Sequence, residues 1–294
     1  MGKTPSLTWG GKTRHGKVIL SWKDSVAFPL GWWNWELGSR LLFWRWPKYY
    51  HKQARDGIKM WWSGSLPRWI RRQLPPKNNL EKKLLQKKIS LVLERNYVDS
   101  GQVSSLVPLF WVPKGADDVR VVYNGAKSGL NEVMWAPNFP VPNAEQLIRI
   151  QEPGTWNVDL DISDHFLNFM MPNELRSSVG IDLTPIFKED SKSIMWRRWN
   201  RLMMGFKTSP YAATQGSSIA EEFIRGDENE ENNPLRWDSI IFNLPGKADY
   251  NTDNPRVYKW NIRLRKIAAD LITYYDDTRA TAPSKIIARI LARR

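Results

Sequence analysis

Cysteine is absent from all 294 residues, and histidine occurs only three times. Disulfides and thiolate catalysis are therefore excluded, and so small a set of imidazoles argues against a zinc site. Long apolar runs are also missing: nothing approaches the ~20 consecutive apolar residues that a membrane helix needs. The N-terminus has no apolar core of the kind that directs secretion. The expected setting is intracellular and away from membranes, with no choice made between cytoplasm and nucleus. Two short patterns near the start carry little weight. Met1, Gly2 and Ser6 have the spacing of an N-myristoylation signal, a match short enough to arise by chance. Gly10-Gly11-Lys12-Thr13 has the end of a phosphate loop, but Ser6 stands where the leading glycine is needed and no apolar strand precedes it.

What the chain does have is positive charge and tryptophan, and both are unevenly spread. The formal net charge is +14. Residues 1–100 hold twenty basic and six acidic side chains, which accounts for the whole excess. Ten of the seventeen tryptophans fall in the same third, among them Trp32, Trp33, Trp35, Trp44, Trp46, Trp61, Trp62 and Trp69. They are interleaved with Arg40, Arg45, Lys48, Arg68, Arg71 and Arg72. Cations follow a phosphate backbone and aromatic faces stack on bases, so this mixture suits nucleic-acid binding without sequence readout. Tryptophan is equally a core residue, and Arg on Trp is common in folded proteins. Composition alone leaves both readings open.

Patterning divides the chain into a basic, Trp-rich region over 1–79 and a second region over 80–294. Residues 1–30 read as a loosely ordered arm. After Pro75-Pro76, Asn79 is the expected cap of a helix over Leu80 to Asn96, with Leu84, Leu85, Ile89 and Leu93 at helical spacing. Leu106 to Val112 and Val119 to Tyr123 flank a polar tip, the pattern of a hairpin. Strands are expected at Trp156 to Ile162, Val179 to Leu183 and Met195 to Leu202, a helical turn at Asn173 to Ser178, and a helix from Ser209 to Ile224. Gly226 to Pro234 is an acidic surface loop. Lys266 to Tyr275 leads into Asp276-Asp277, and a last basic helix begins at Pro283-Ser284.

Three blocks carry chemistry. In Val158-Asp159-Leu160-Asp161-Ile162-Ser163-Asp164-His165-Phe166, alternation puts Asp159 and Asp161 on one face of an otherwise apolar strand. In Met203-Met204-Gly205-Phe206-Lys207-Thr208-Ser209-Pro210-Tyr211, a glycine lets backbone approach a ligand just before a helix starts. Thr273-Tyr274-Tyr275-Asp276-Asp277-Thr278-Arg279 brackets two carboxylates with β-formers. Each has an ordinary local explanation as a strand edge, a capped helix or a turn. Together they supply what phosphoryl transfer from a nucleoside triphosphate needs, which is hard-cation ligands brought to the edge of a sheet.

In this order the blocks resemble motifs A, B and C of reverse transcriptases, with Tyr274-Tyr275-Asp276-Asp277 matching the family's Tyr-x-Asp-Asp signature. Val107-Pro108-Leu109-Phe110-Trp111-Val112-Pro113-Lys114-Gly115, Asp118 to Asn124 and Leu130-Asn131 are also similar to it, so the likeness spans roughly residues 80–290. Ser128-Gly129-Leu130-Asn131 and Trp135-Ala136-Pro137 are most similar to retrotransposon enzymes of the tyrosine-recombinase type. The resemblance implies an α+β fold: the fingers and palm of a right-hand polymerase, an antiparallel palm sheet backed by helices, and no thumb. It implies an RNA-directed DNA polymerase that adds deoxynucleoside triphosphates to a primer on an RNA or DNA template. Two magnesium ions, or manganese in their place, would be held by Asp161, Asp276 and Asp277, with Asp159 only a neighbour. Lys114 and Arg120 would hold the incoming triphosphate. Phe166 would sit under the sugar and exclude a 2′-hydroxyl. Gly205, Phe206 and Lys207 would line the nascent base pair, and Tyr274 would support the primer end.

Two departures from the family follow. Met204 stands where it usually has glutamine, and only seventeen residues follow Asp277. No ribonuclease H domain, primer grip or thumb fits in that length. The expectation is a truncated retroelement product that binds nucleic acid and extends primers weakly, or one piece of an enzyme completed by a further polymerase chain or element-encoded protein. The alternative is an inactive remnant that only binds nucleic acid. A viral RNA-dependent RNA polymerase fits less well, because Phe166 would oppose ribonucleotides.

Overall fold

The computed structural model describes residues 48–115, 117–162, 164–188 and 193–293, together with the backbone of residues 18 and 19. Apart from that pair, the arm expected over residues 1–30 lies outside the described residues, as do Trp32, Trp33, Trp35, Trp44, Trp46, Arg40 and Arg45. In chain order the elements begin with β1 (Val18–Ile19), α1 (Lys48–Asp56), β2 (Trp61–Trp62), α2 (Asn79–Glu94), β3 (Val98–Asp99), β4 (Leu109–Pro113) and β5 (Val119–Tyr123). Next come α3 (Leu130–Val133), β6 (Met134–Trp135), α4 (Ala144–Arg149), β7 (Trp156–Asp161), a 3-10 turn over His165–Asn168, α5 (Asn173–Arg176), β8 (Gly180–Asp182), α6 (Thr184–Phe187) and β9 (Trp196–Trp199). The chain continues through α7 (Ser209–Arg225), β10 (Ser239–Phe242), β11 (Tyr258–Asn261), β12 (Lys266–Ile267), β13 (Asp270–Tyr274), β14 (Asp277–Ala282) and α8 (Lys285–Arg293). The fold is mixed α+β, built on small sheets whose pairings are antiparallel except that of β1 with β7. The described residues divide into two compact units, one drawn from within 1–27, 140–163 and 217–294, the other from within 28–139 and 164–216.

The unit formed by 28–139 and 164–216 has a core of long aliphatic and aromatic side chains, including Leu85, Ile89, Tyr97, Ile181, Trp199 and Phe206. Helix α2 presents Leu85 and Ile89 to it, four residues apart on one face. Its N-cap is Asn78, whose side chain accepts from the Glu81 amide at 2.9 Å. The cap thus lies one residue before the expected Asn79; adjacent asparagines can both cap, and the extended backbone of Asn78 decides between them. The expected hairpin forms from β4 and β5, with Pro113 opposite Val119. The Trp-rich segment divides between core and surface. Met60 is buried in the core and Trp62 packs against that core, whereas Trp61 is exposed. Leu106 donates to the Trp69 carbonyl at 2.7 Å, and the Gln73 amide meets both backbone groups of Leu109 at 3.0 Å. Residues 60–73 are therefore part of this unit's fold.

The other unit carries the sheet order β1-β7-β14-β13. Its apolar face places Val158, Ala280, Ala282 and Leu271 against Ala288 and Leu291 of α8. Strands β10, β11 and β12 form a second sheet, which the sequence reading did not anticipate. The stretch from Lys266 to Tyr275 contains two strands: β12 joins β11, and β13 joins β14. Asp270 at the start of β13 is buried between Lys259, at 2.9 Å, and Arg225, at 3.0 Å. No helix among the described residues is long and apolar enough to cross a membrane.

Candidate active site

Strands β7 and β14 run antiparallel, with Asn157, Asp159 and Asp161 opposite Thr281, Arg279 and Asp277. Alternation sends these six side chains to one face and leaves Trp156, Val158 and Leu160 on the other. The polar face is a ladder of three rungs. At the first, the Thr281 hydroxyl donates to the Asn157 side-chain oxygen at 2.9 Å. At the second, the Arg279 guanidinium makes a forked ion pair with Asp159. The third rung sets Asp161 directly against Asp277. Directly opposed side chains have Cβ atoms about 4.5–5.5 Å apart, and like charges there destabilise a sheet. Both carboxylates are exposed, as is Asp276. Partial burial, and then the charges of Asp276, Asp161 and Asp159, push the Asp277 carboxyl above its usual range, with Arg279 opposing.

The hairpin between β13 and β14 closes over two residues, since Tyr274 pairs with Asp277. Tyr275, in the turn, takes a φ of 52°, a left-handed conformation that costs a bulky residue energy and persists only where its surroundings enforce it. One constraint is visible: the Ile162 amide donates to the Asp276 carbonyl at 2.8 Å. That bond latches the turn to the end of β7 and holds Asp276 beside the Asp161–Asp277 rung. Tyr274 is half exposed, its ring edge-on to Tyr275 at 5.0 Å.

No protein-family model and no curated protein matches this chain. The residues must therefore be weighed on their own chemistry. Magnesium takes hard oxygen ligands, keeps several waters, and is commonly held by one or two carboxylates plus substrate phosphates. An exposed rung of two carboxylates, with a third latched beside it and Asp159 already neutralised, fits that demand. Among the described residues no three His, Cys, Asp or Glu side chains, Asp161, Asp276 and Asp277 included, are gathered closely enough to hold a metal ion by themselves. A cation held by Asp161, Asp276 and Asp277 would complete its coordination from water or phosphate.

The other expected site residues belong to the second unit. Lys114 and Arg120 are exposed beside the tip of the β4–β5 hairpin, where Lys114 donates its amide to the Asp118 carbonyl at 2.8 Å. Lys88 reaches the Asp118 carboxylate at 3.6 Å. Gly205 has a φ of 93°, and a Cβ there would run into the Tyr123 carbonyl oxygen, so glycine is required twice over. Lys207 is exposed, and Phe166 is partly buried beside the core. Phe206, expected beside the nascent base pair, is only 2% exposed and packs within that core. One contributor was not anticipated. The Asn131 side chain donates to the Gly205 carbonyl at 3.0 Å and accepts from the Lys207 amide at 2.9 Å, clamping the loop from both sides. Its signal was present in Leu130-Asn131, but the bonding follows from a contact more than seventy residues away in sequence.

Proposed function

We propose that this chain is an RNA-directed DNA polymerase of the reverse-transcriptase type, with its two units corresponding to parts of the fingers and palm of a right-hand polymerase. The observation that carries the reading is the Asp161–Asp277 rung with Asp276 latched beside it. Opposed carboxylates left in solvent weaken a sheet, and divalent-cation chemistry gives them a reason to be there. The order of the three sequence blocks adds the rest.

In this reading Asp161, Asp276 and Asp277 would hold two magnesium ions. Bound there, the ions would supply Lewis-acid stabilisation of the charge that develops on the attacking and leaving oxygens. The primer 3′-oxygen attacks the α-phosphorus of a deoxynucleoside triphosphate, its proton passes to solvent, and pyrophosphate departs. Lys114 and Arg120 bind the triphosphate, Arg in a forked geometry that matches phosphate oxygens. The Phe166 ring packs under the sugar and leaves no room for a 2′-hydroxyl. Tyr274 supports the primer end, and the Gly205–Lys207 loop, held by Asn131, borders the template base.

Primer extension on an RNA template with magnesium or manganese tests this. Asp161→Asn or Asp276→Asn should reduce extension on the order of 100-fold or more, because a group that stabilises developing charge is lost. The fold should remain, since both positions are exposed. Extension that survives both substitutions would sink the assignment. No extension by the parent, with salt-sensitive binding intact, would favour a remnant that only binds nucleic acid.

A further inference from the structure

The paired strands β2 and β6 in the 28–139 and 164–216 unit hold Trp61 directly opposite Trp135. Their rings meet edge to face at 5.7 Å. Tyr211, in the first turn of α7, lies 6.1 Å from Trp61 and 5.8 Å from Phe139. The Lys59 ammonium sits 5.9 Å from the centre of the Trp61 ring. These aromatics do not close over one another as a core would: Trp61 is 37% and Trp135 is 54% exposed. Their neighbour Trp62 shows the contrast, since it packs against the core.

We propose that the Trp61–Trp135 ledge is a stacking platform for an unpaired nucleic-acid strand. That the occupant is a nucleic acid rests on the polymerase reading above; that it binds at the ledge, and unpaired, follows from the rings and charges. The segments from which the ledge residues come, 59–68, 124–139 and 203–211, carry Lys59, Arg68, Lys127 and Lys207 against a single acid, Glu132. Exposed indoles offer π faces that accept any base, and surrounding cations follow the phosphates. Duplex bases are already stacked on each other, so the ledge distinguishes unpaired strands from paired ones. The clamp at Asn131 strengthens the case, because it ties the backbone at Lys207 to the helix that runs straight into β6. A docking site for another protein would gain from the same apolar area but has no use for an ammonium over the Trp61 ring or for the basic excess of these segments.

The test uses fluorescence anisotropy of the full chain with a labelled single-stranded oligouridylate and with a blunt duplex of equal length. Trp135→Ala should weaken single-strand binding about tenfold and change duplex binding less than about twofold, as expected for the loss of one stacked base. Trp135→Phe should restore most of the loss, and Lys59→Glu should weaken the single-strand complex and flatten its salt dependence. Trp237→Ala serves as control, because that indole is 73% exposed but belongs to the other unit. Thermal melting by circular dichroism confirms that each variant folds. Equal losses on both ligands, no loss on either, or failure of the parent to bind the single strand overturns the ledge. The two proposals fail separately. A parent that binds through Trp135 yet never extends a primer removes the polymerase reading and leaves this one, whereas extension with Trp135→Ala binding unchanged does the reverse.

Discussion

At the end of the β7–β14 ladder, Asp161 and Asp277 face each other in solvent, and their placement depends on strand register alone. In the other unit, Gly205 and Phe206 are set by contact: one has no room for an added carbon and the other is enclosed by the core. The first arrangement is chemically costly and structurally separable from the fold. The second is chemically quiet and inseparable from it. A side chain on the ladder can change without moving the backbone, so a loss of activity there reports on chemistry. A change in the Gly205 loop reports first on folding.

The largest effect that would sharpen this contrast is Gly205→Ala. A methyl group would meet the Tyr123 carbonyl and impose a left-handed backbone on alanine, so the unit should lose about 3 kcal/mol or more. Thermal or urea denaturation measures it, and a melting temperature equal to the parent's would break the contrast. Arg279→Gln should be milder. It leaves Asp159 among three other carboxylates, but the pair is partly exposed, so the expected loss is about 1 kcal/mol. Adding Asp159→Asn should recover most of it, and a double-mutant cycle reads the coupling directly.

The smallest effect has the opposite sign. Asp277 has a folded-state pKa raised above its unfolded value, so its stabilising contribution is complete below the unfolded pKa and is lost as pH rises through the folded one. Asp277→Asn should therefore raise the metal-free melting temperature at pH 7 by roughly 1–2 °C, a gain that fades below about pH 4. Magnesium should stabilise the parent more than this variant, because a ligand that binds only the native state adds to its stability. A variant less stable than the parent at neutral pH would show that Asp277 is a structural anchor instead.

Much of this was readable from local pattern. Helix α2, the β4–β5 hairpin, β7, α7 and the β13–β14 hairpin all follow from periodicity and turn residues within a short window. The second sheet was not, because β10 and β11 are brief and separated by a long polar connection, so neither carries a period of its own. The carboxylates were legible as residue types on a strand and at a turn. That Asp161 meets Asp277 rather than Asp276 across the ladder was not, since it depends on the register between strands far apart in sequence. The burial of Phe206 was not legible for the same reason, since the packing around a glycine-flanked aromatic comes from segments distant in sequence. Asn131 needed the loop it clamps to be visible before its amide had a role.

Among the described residues β13 has a strand neighbour on one side only, which leaves a row of backbone groups on its far side. Such a border invites a second chain to extend the sheet. The strand is short, and its first side chain, Asp270, is drawn inward between Arg225 and Lys259. An incoming strand would have to line up against a buried charge already committed to two cations. The acidic hairpin can thus stand at the margin of its sheet, open to small ligands, without serving as a template for self-association.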